Sequence, residues 1–257
     1  MSDTRDLVRQ QFGTHARNYV DSHDHSKGES LDRMLALVDP QPHWRALDIA
    51  TGGGHTALAF APVVREVVAT DLTTEMLAAA EQFIRGKGIT NVSFRVADAT
   101  ALSFGDAEFD LVTCRVAPHH FPDCARFVRE MARVLRPGGL AALVDNVVPE
   151  DVEAARFINA FEKRRDPSHN WAYTQSAWLR FFADAGLALR HAETFRKQRD
   201  FDYWTGMMSV DEKTKADLRR MLETMPAAAR EALAPETRAD GIKFYLTEIL
   251  LVAECSG

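Results

Sequence analysis

Four carboxylates close four apolar runs: Asp48 in "RALDIA", Asp71 in "EVVATD", Asp98 in "VSFRVADA" and Asp145 in "LAALVDNV". Three glycines, Gly52-Gly53-Gly54, follow the first acid. Two adjacent histidines, His119-His120, follow Arg115, and a third, His169, sits in "RDPSHN". Each type suggests a task. Glycine lets backbone lie close to a ligand. Carboxylates accept hydrogen bonds from hydroxyl and amino groups, and imidazole moves protons near neutral pH. Asp71 lies 19 residues after Gly52, the separation at which an acid reaches the ribose hydroxyls of an adenosine. Asp98 could take an adenine amino group, with the Ala99 backbone N–H beside it. Acids at successive strand ends suit a cationic ligand such as a sulfonium. A pyrophosphate would prefer lysines, arginines or an acid-free helix N-terminus.

Strands alternating with helices must position these groups. "RALDIA", "EVVATD", "VSFRVADA", "FDLVTCR" and "LAALVDNV" are predicted strands. They are separated by "HTALAFA", "TTEMLAAAEQFIRGKG" and "CARFVREMARVL", whose apolar residues repeat at helical spacing. Such alternation predicts right-handed βαβ units and a mostly parallel sheet with helices on both faces. Ligands then bind beyond the C-terminal strand ends, near the point where strand order reverses. Thr73 is a plausible N-cap. After Val148 come the helices 151–165 and 174–186, a strand from Leu187, one or two helices over 205–235, and the strand "IKFYLTEILLVAEC". That last strand is expected to insert beside its predecessor. The fold class is therefore α/β: a doubly wound, seven-stranded, mostly parallel sheet with an antiparallel last strand and a helical cap. One domain is expected over 1–257, with an N-terminal helical cap (1–43), a cofactor core (44–148) and an acceptor-side cap with closing strands (149–257).

The chain has 257 residues, 46% hydrophobic, and a net charge of −6. That length can bury a full core, and the charge counts against a nucleic-acid binder held by phosphate contacts. Three cysteines without metal or CxxC spacing fit a reduced, cytoplasmic protein. The N-terminal residues show no apolar signal core, and no run is long enough for a membrane span. No histidine pair with a carboxylate has ligand spacing, so no metal is expected; His23 and His25 are read as solvated.

As a set, "ALDIATGGGHTALA", "VVATDLTTEML", "FRVADATALSFGDAEFDLVTCR" and "VLRPGGLAALVD" resemble the class I S-adenosylmethionine (SAM)-dependent methyltransferases. "QFGTHARNYVDS", "RVAPHHFPD" and "RDPSHN" resemble more narrowly the small-molecule branch related to ubiquinone and menaquinone C-methyltransferases. One departure is His55, where many relatives carry a small residue. The resemblance implies a Rossmann-like fold, SAM as cofactor and a small-molecule methyl acceptor, aromatic or quinone-like. It implies a cofactor wall of Tyr19, Asp48, Ala50, Gly52, Gly54, Asp71, Leu72, Met76, Asp98, Ala99 and Arg115. Asp48 would orient the loop or reach the amino group through water, and His15 or Tyr19 would close over the methionine end. Where the acceptor must lose a proton, His120, Asp145 and His169 are the candidate bases, with Arg165 beside His169. His119 is read as structuring its loop. Two other readings stay open. An NAD(P)-dependent oxidoreductase would carry G-x-G-x-x-G ending on a small residue, whereas this loop reads G-G-G-H-T-A. A SAM-binding protein that is not a methyltransferase is the other. Self-association as a homodimer is left open.

Overall fold

The structure, a computed structural model, describes residues 5–8 and 29–256. Helix α1 (Glu29–Val38) buries Leu31, Met34 and Val38. Strand β1 (Arg45–Ile49) leads through the glycine turn to α2 (His55–Phe60). Then come β2 (Glu66–Asp71), α3 (Thr74–Gly86), β3 (Val92–Val96) and β4 (Phe109–Arg115). A 3₁₀ turn, Pro118–His120, precedes α4 (Cys124–Val134) and β5 (Leu135–Val148). The second half contributes α5 (Val152–Arg165), β6 (Tyr173–Thr174), α6 (Gln175–Asp184), β7 (Leu187–Asp200), α7 (Phe201–Gly206), α8 (Glu212–Thr224), α9 (Ala227–Leu233), β8 (Glu236–Arg238) and β9 (Gly241–Cys255).

The sheet runs β3-β2-β1-β4-β5-β9-β7. β1 to β5 pair in parallel, and β9 is antiparallel to both neighbours. The last strand does insert between its predecessor and β5. Two short strands, β6 on β5 and β8 on β9, add to the seven. Central strands are apolar on both faces because both faces are covered. On β5, Ala141 and Leu143 join one core with Phe127, Met131 and Trp178. Alternate residues Leu140, Ala142 and Val144 join the opposite core with Met34, Phe60 and Ile84. A third cluster links α5 to α7, α8 and α9 through Phe161, Trp204, Leu218 and Phe244, so the late helices do pack over the strand ends.

Three local features differ from the sequence reading. β5 starts at Leu135 and includes "RPGG": Leu135 pairs with Phe109, then the register shifts so that Leu140 meets Leu111. β3 stops at Val96, which is 52% exposed on the sheet edge. Beyond it Asp98 sits in a turn bridged to Ala101. Thr73 occupies the N-cap position of α3 without capping it, because its hydroxyl donates to Asp71.

Candidate functional site

Strand order reverses at β1 and β4, and a cleft opens beyond their C-terminal ends with about 970 Å³ of space continuous with solvent. Its wall begins in the β1–α2 turn. Ala50, Gly52 and Gly54 all have positive φ, at 53°, 54° and 84°. Thr51 N–H donates to Thr70 O at 2.8 Å, which ties the turn to β2. Asp48 braces it from behind: Thr51 Oγ1 and Thr113 Oγ1 donate to its two oxygens at 2.6 and 2.8 Å. Burial pushes the Asp48 carboxyl up to about 6 against these hydrogen bonds.

Gly52 and Gly53 present bare backbone to the cleft. Gly54 does not line it. A Cβ there would stand 2.9 Å from Ile84 Cδ1 and 3.1 Å from Ala80 Cβ, so this glycine makes room for α3. Asp71 takes Gly52 N–H on Oδ2 at 3.0 Å, and Thr73 N–H and hydroxyl on Oδ1 at 3.1 and 2.8 Å. Burial raises its carboxyl. Asp98 takes both Thr100 donors on Oδ1, at 2.8 Å from N–H and 2.7 Å from the hydroxyl. Its Oδ2 accepts Arg5 Nε at 2.7 Å. These partners hold its carboxyl below the usual range although burial opposes them. Leu72, Met76, Ala99 and Arg115 complete the predicted residues on the wall, with His55 and Thr56 beside them. Arg115 Nε donates to Thr56 Oγ1 at 3.1 Å. Burial lowers this guanidinium while Glu248 and Asp48 favour its charge. Val116, also on the wall, holds φ at 54°, a strained conformation for a β-branched residue, fixed by its N–H bond to Val144 O at 2.7 Å.

Ala117, His120, Phe121 and Pro122, which follow β4, also line the cleft. Behind them lies a buried polar cluster. His119 Nδ1 stands 2.6 Å from Asp145 Oδ1. Burial disfavours the His119 charge, but Asp145, with Glu162 and Asp166, raises the imidazole above its usual value. The His119 and His120 rings are 4.2 Å apart between centroids. Burial first, and the His119 charge second, lower His120 to about 4. His169 is 1% exposed, and burial followed by both neighbouring imidazoles takes it to about 2.

Several expectations change here. Asp145 is fully buried, engages His119 and is not on the cleft wall. His169 is likewise off the wall: its Nε2 bonds Asn159 Oδ1 at 2.8 Å. Arg165 turns away to Trp204, donating to its carbonyl and stacking over its ring. Gly54 faces α3 rather than the cleft, and Asp48 orients the loop from behind, one of the two roles expected for it. Of the three candidate bases, only His120 reaches the cleft. His15, Tyr19, His23 and His25 lie outside the described residues. Sequence reasoning missed Arg5, whose partner Asp98 is 93 positions away. His119, read from the sequence as structuring its loop, is buried against Asp145 and does not line the cleft.

The strand order, the antiparallel closing strand and a cleft at the switch point define the class: a Rossmann-like methyltransferase fold. A model of the methyltransferase domain matches residues 47–143. The uncharacterised methyltransferase YcgJ of Bacillus subtilis (strain 168) is 35% identical over 242 residues, covering 93% of this chain and 96% of YcgJ. The solved structure of YcgJ superposes with a TM-score of 0.86 at 34% identity, over 90% of this chain and 100% of that one. The ubiquinone/menaquinone biosynthesis C-methyltransferase of Pectobacterium carotovorum subsp. carotovorum (strain PC1) is 31% identical over 169 residues, 64% of each chain. The protein belongs to the class I SAM-dependent methyltransferases, with SAM as methyl donor. The residues present suit that donor. Asp71 and Asp98 offer carboxylate acceptors, Gly52 and Gly53 offer bare backbone, and the cations on the wall are matched by acids, Arg5 by Asp98 and Arg115 by Glu248 and Asp48. No helix among the described residues is long and apolar enough to cross a membrane.

Proposed function

We propose that this enzyme methylates a small aromatic or quinol-like molecule that carries an O–H or N–H, seated at the His120–Phe121 end of the cleft. Asp71 binds the ribose hydroxyls. Asp98 and the Ala99 backbone receive the adenine edge, with Leu72 and Met76 as apolar walls. Ala50, Gly52 and Gly53 bring backbone against the amino-acid portion, and Asp48 holds that backbone in place through Thr51. When bound, SAM supplies an electrophilic methyl on a sulfonium, and attack by the acceptor leaves the C–S electron pair on sulfur. The protein's share is alignment, exclusion of water and handling of one proton. His120 is neutral at pH 7, so its ring lone pair takes the acceptor's proton as the new bond to carbon forms. With a value near 4, it is a weak base that acts on a group whose acidity rises during the attack. The free thiols Cys114 and Cys124 are buried, which fits a reducing cytoplasmic setting.

The observation that carries this reading is one cleft lined both by Asp71 and Asp98 and by His120 and Phe121. The relative named as a quinone C-methyltransferase supports the acceptor class. The test is transfer of label from SAM to a panel of phenols, quinols and basic peptides. Label should enter a phenol or quinol, and Asp71→Ala should weaken SAM binding at least tenfold. Label found only in peptide, full turnover by His120→Asn, or wild-type SAM affinity in Asp71→Ala would each overturn the corresponding part.

A further inference from the structure

Arg5 reaches the cleft beside the acid read as the adenine acceptor. Its Nε donates to Asp98 Oδ2 at 2.7 Å, and its Nη2 donates to Thr100 Oγ1 at 3.2 Å. Thr100 gives its own two hydrogens to Asp98 Oδ1, from N–H at 2.8 Å and from the hydroxyl at 2.7 Å. Thr100 is 1% exposed, so the turn that carries the pair is packed into the protein. A carboxylate oxygen has two lone pairs. Both on Oδ1 are taken by Thr100. One on Oδ2 is taken by Arg5, which leaves a single acceptor position, on the oxygen that the cation already holds.

Charge gives a reason for a cation there. Arg5, Val8 and Asp98 all line the cleft. The Asp98 side chain is 29% exposed and that of Arg5 33%, so both keep part of their hydration. Adenine is a neutral base. Seated on Asp98, it strips water from the carboxylate and returns one amino hydrogen bond, too little for a full negative charge. The Thr100 donors carry no charge either. Burial opposes ionisation of Asp98, and the Thr100 hydrogen bonds followed by Arg5 hold its carboxyl below the usual range. Arg5 is the cation in that set.

We propose that Arg5 is a positioning residue of the SAM site: it neutralises Asp98 on the cleft wall, so that neutral adenine is buried against an ion-paired carboxylate instead of a bare one. This rests on the reading of Asp98 as the adenine acid. Arg5 acts through Asp98, and its second bond, to Thr100, keeps the guanidinium in place while the remaining position on Oδ2 is filled. Cofactor affinity then depends on a residue 93 positions before the acid it serves. Without Arg5, purine binding would bury an unpaired charge. With both charges removed, that penalty disappears.

Calorimetry on the full chain compares S-adenosylhomocysteine with its analogue that lacks the 6-amino group. In the wild type the amino group should strengthen binding about tenfold, as one hydrogen bond to a charged acceptor does. Arg5→Gln keeps a donor amide and loses only the charge. It should weaken both ligands by about tenfold, less than for a fully buried pair, whereas Arg5→Lys should stay within about threefold of wild type. Adding Asp98→Asn to Arg5→Gln should bring the analogue back to within about threefold of wild type, since no charge is left to bury. The analogue is used there because it makes no demand on the acceptor position. If the Asp98→Asn variant does not fold, the contrast between Arg5→Gln and Arg5→Lys decides. Equal wild-type affinity for the two ligands overturns the adenine reading of Asp98, and the proposal with it. A wild-type amino preference with undiminished binding by Arg5→Gln overturns the proposal alone, and so does a double variant as weak on the analogue as Arg5→Gln.

Discussion

The substitution Gly54→Ala separates two purposes for the third glycine: room for the cofactor, or room for α3. The structure favours α3, since an added Cβ would meet Ile84 Cδ1 at 2.9 Å and Ala80 Cβ at 3.1 Å and the cleft does not touch Gly54. Two costs add. Holding alanine at φ 84° costs roughly 1–2 kcal/mol. Forcing a methyl into packed side chains costs about 1–3 kcal/mol. Restriction of the unfolded chain returns up to about 1 kcal/mol. The net loss is about 1–5 kcal/mol, centred near 3 and a large fraction of an ordinary domain's stability. In urea unfolding, with a slope near 3 kcal/mol per M, the midpoint should fall by about 1 M. S-adenosylhomocysteine affinity, measured calorimetrically on folded protein, should stay within about threefold, or 0.7 kcal/mol. Ile84→Val deletes the closest atom, so Gly54→Ala should cost about 1 kcal/mol less in that background. An unchanged midpoint with tenfold weaker ligand binding would refute the reasoning and return the glycine to the cofactor.

Two further outcomes follow from buried charge. Asp48 rises from its usual 3.8 to about 6 on folding; the native state binds this proton more tightly, so its contribution to stability falls as pH rises from about 4 to 6. The span corresponds to about 3 kcal/mol. Asp48→Asn removes that dependence but loses one threonine hydroxyl bond, about 1 kcal/mol; it should be more stable than wild type at pH 7 and lose the advantage below about pH 4. Parallel stability curves from pH 4 to 8 would rule this out. Asp145→Asn breaks a buried pair with His119 and should cost about 3 kcal/mol. Without the Asp145 carboxylate His119 loses the positive charge that suppresses His120, whose NMR titration midpoint should move upward from about 4. A midpoint that stays in place would show that His119 carries no charge in the wild type. Asp166, Arg165 and His169 face the same ring and are unchanged in this variant.

Much of the scaffold was legible because its causes are local. Apolar runs ending in acids, helices of regular apolar spacing and the "TGGG" turn each draw their conformation from neighbours within a few residues. The pairing of "IKFYLTEILLVAEC" with its predecessor was legible too, from the long excursion that separates the two strands. The "RPGG" segment was not read as strand, because its inclusion depends on a register shift against Phe109 and Leu111. That shift is a property of the partner strand.

The sequence by itself determined the doubly wound class and the strand-end acids Asp71 and Asp98, because βαβ order and strand-end position follow from chain order alone, and its resemblance to a family implied the cofactor. Tertiary structure decided how the remaining polar groups are shared. Asp145 was drawn away from the cleft to His119, 26 positions earlier. Ser168 was set behind His120, 48 positions away. Gly54 serves α3, and Asp48 serves Thr51 and Thr113. Burial drives most polar groups to find a partner. Which partner it finds depends on what the fold brings within about 3 Å, and no periodicity in the chain records that.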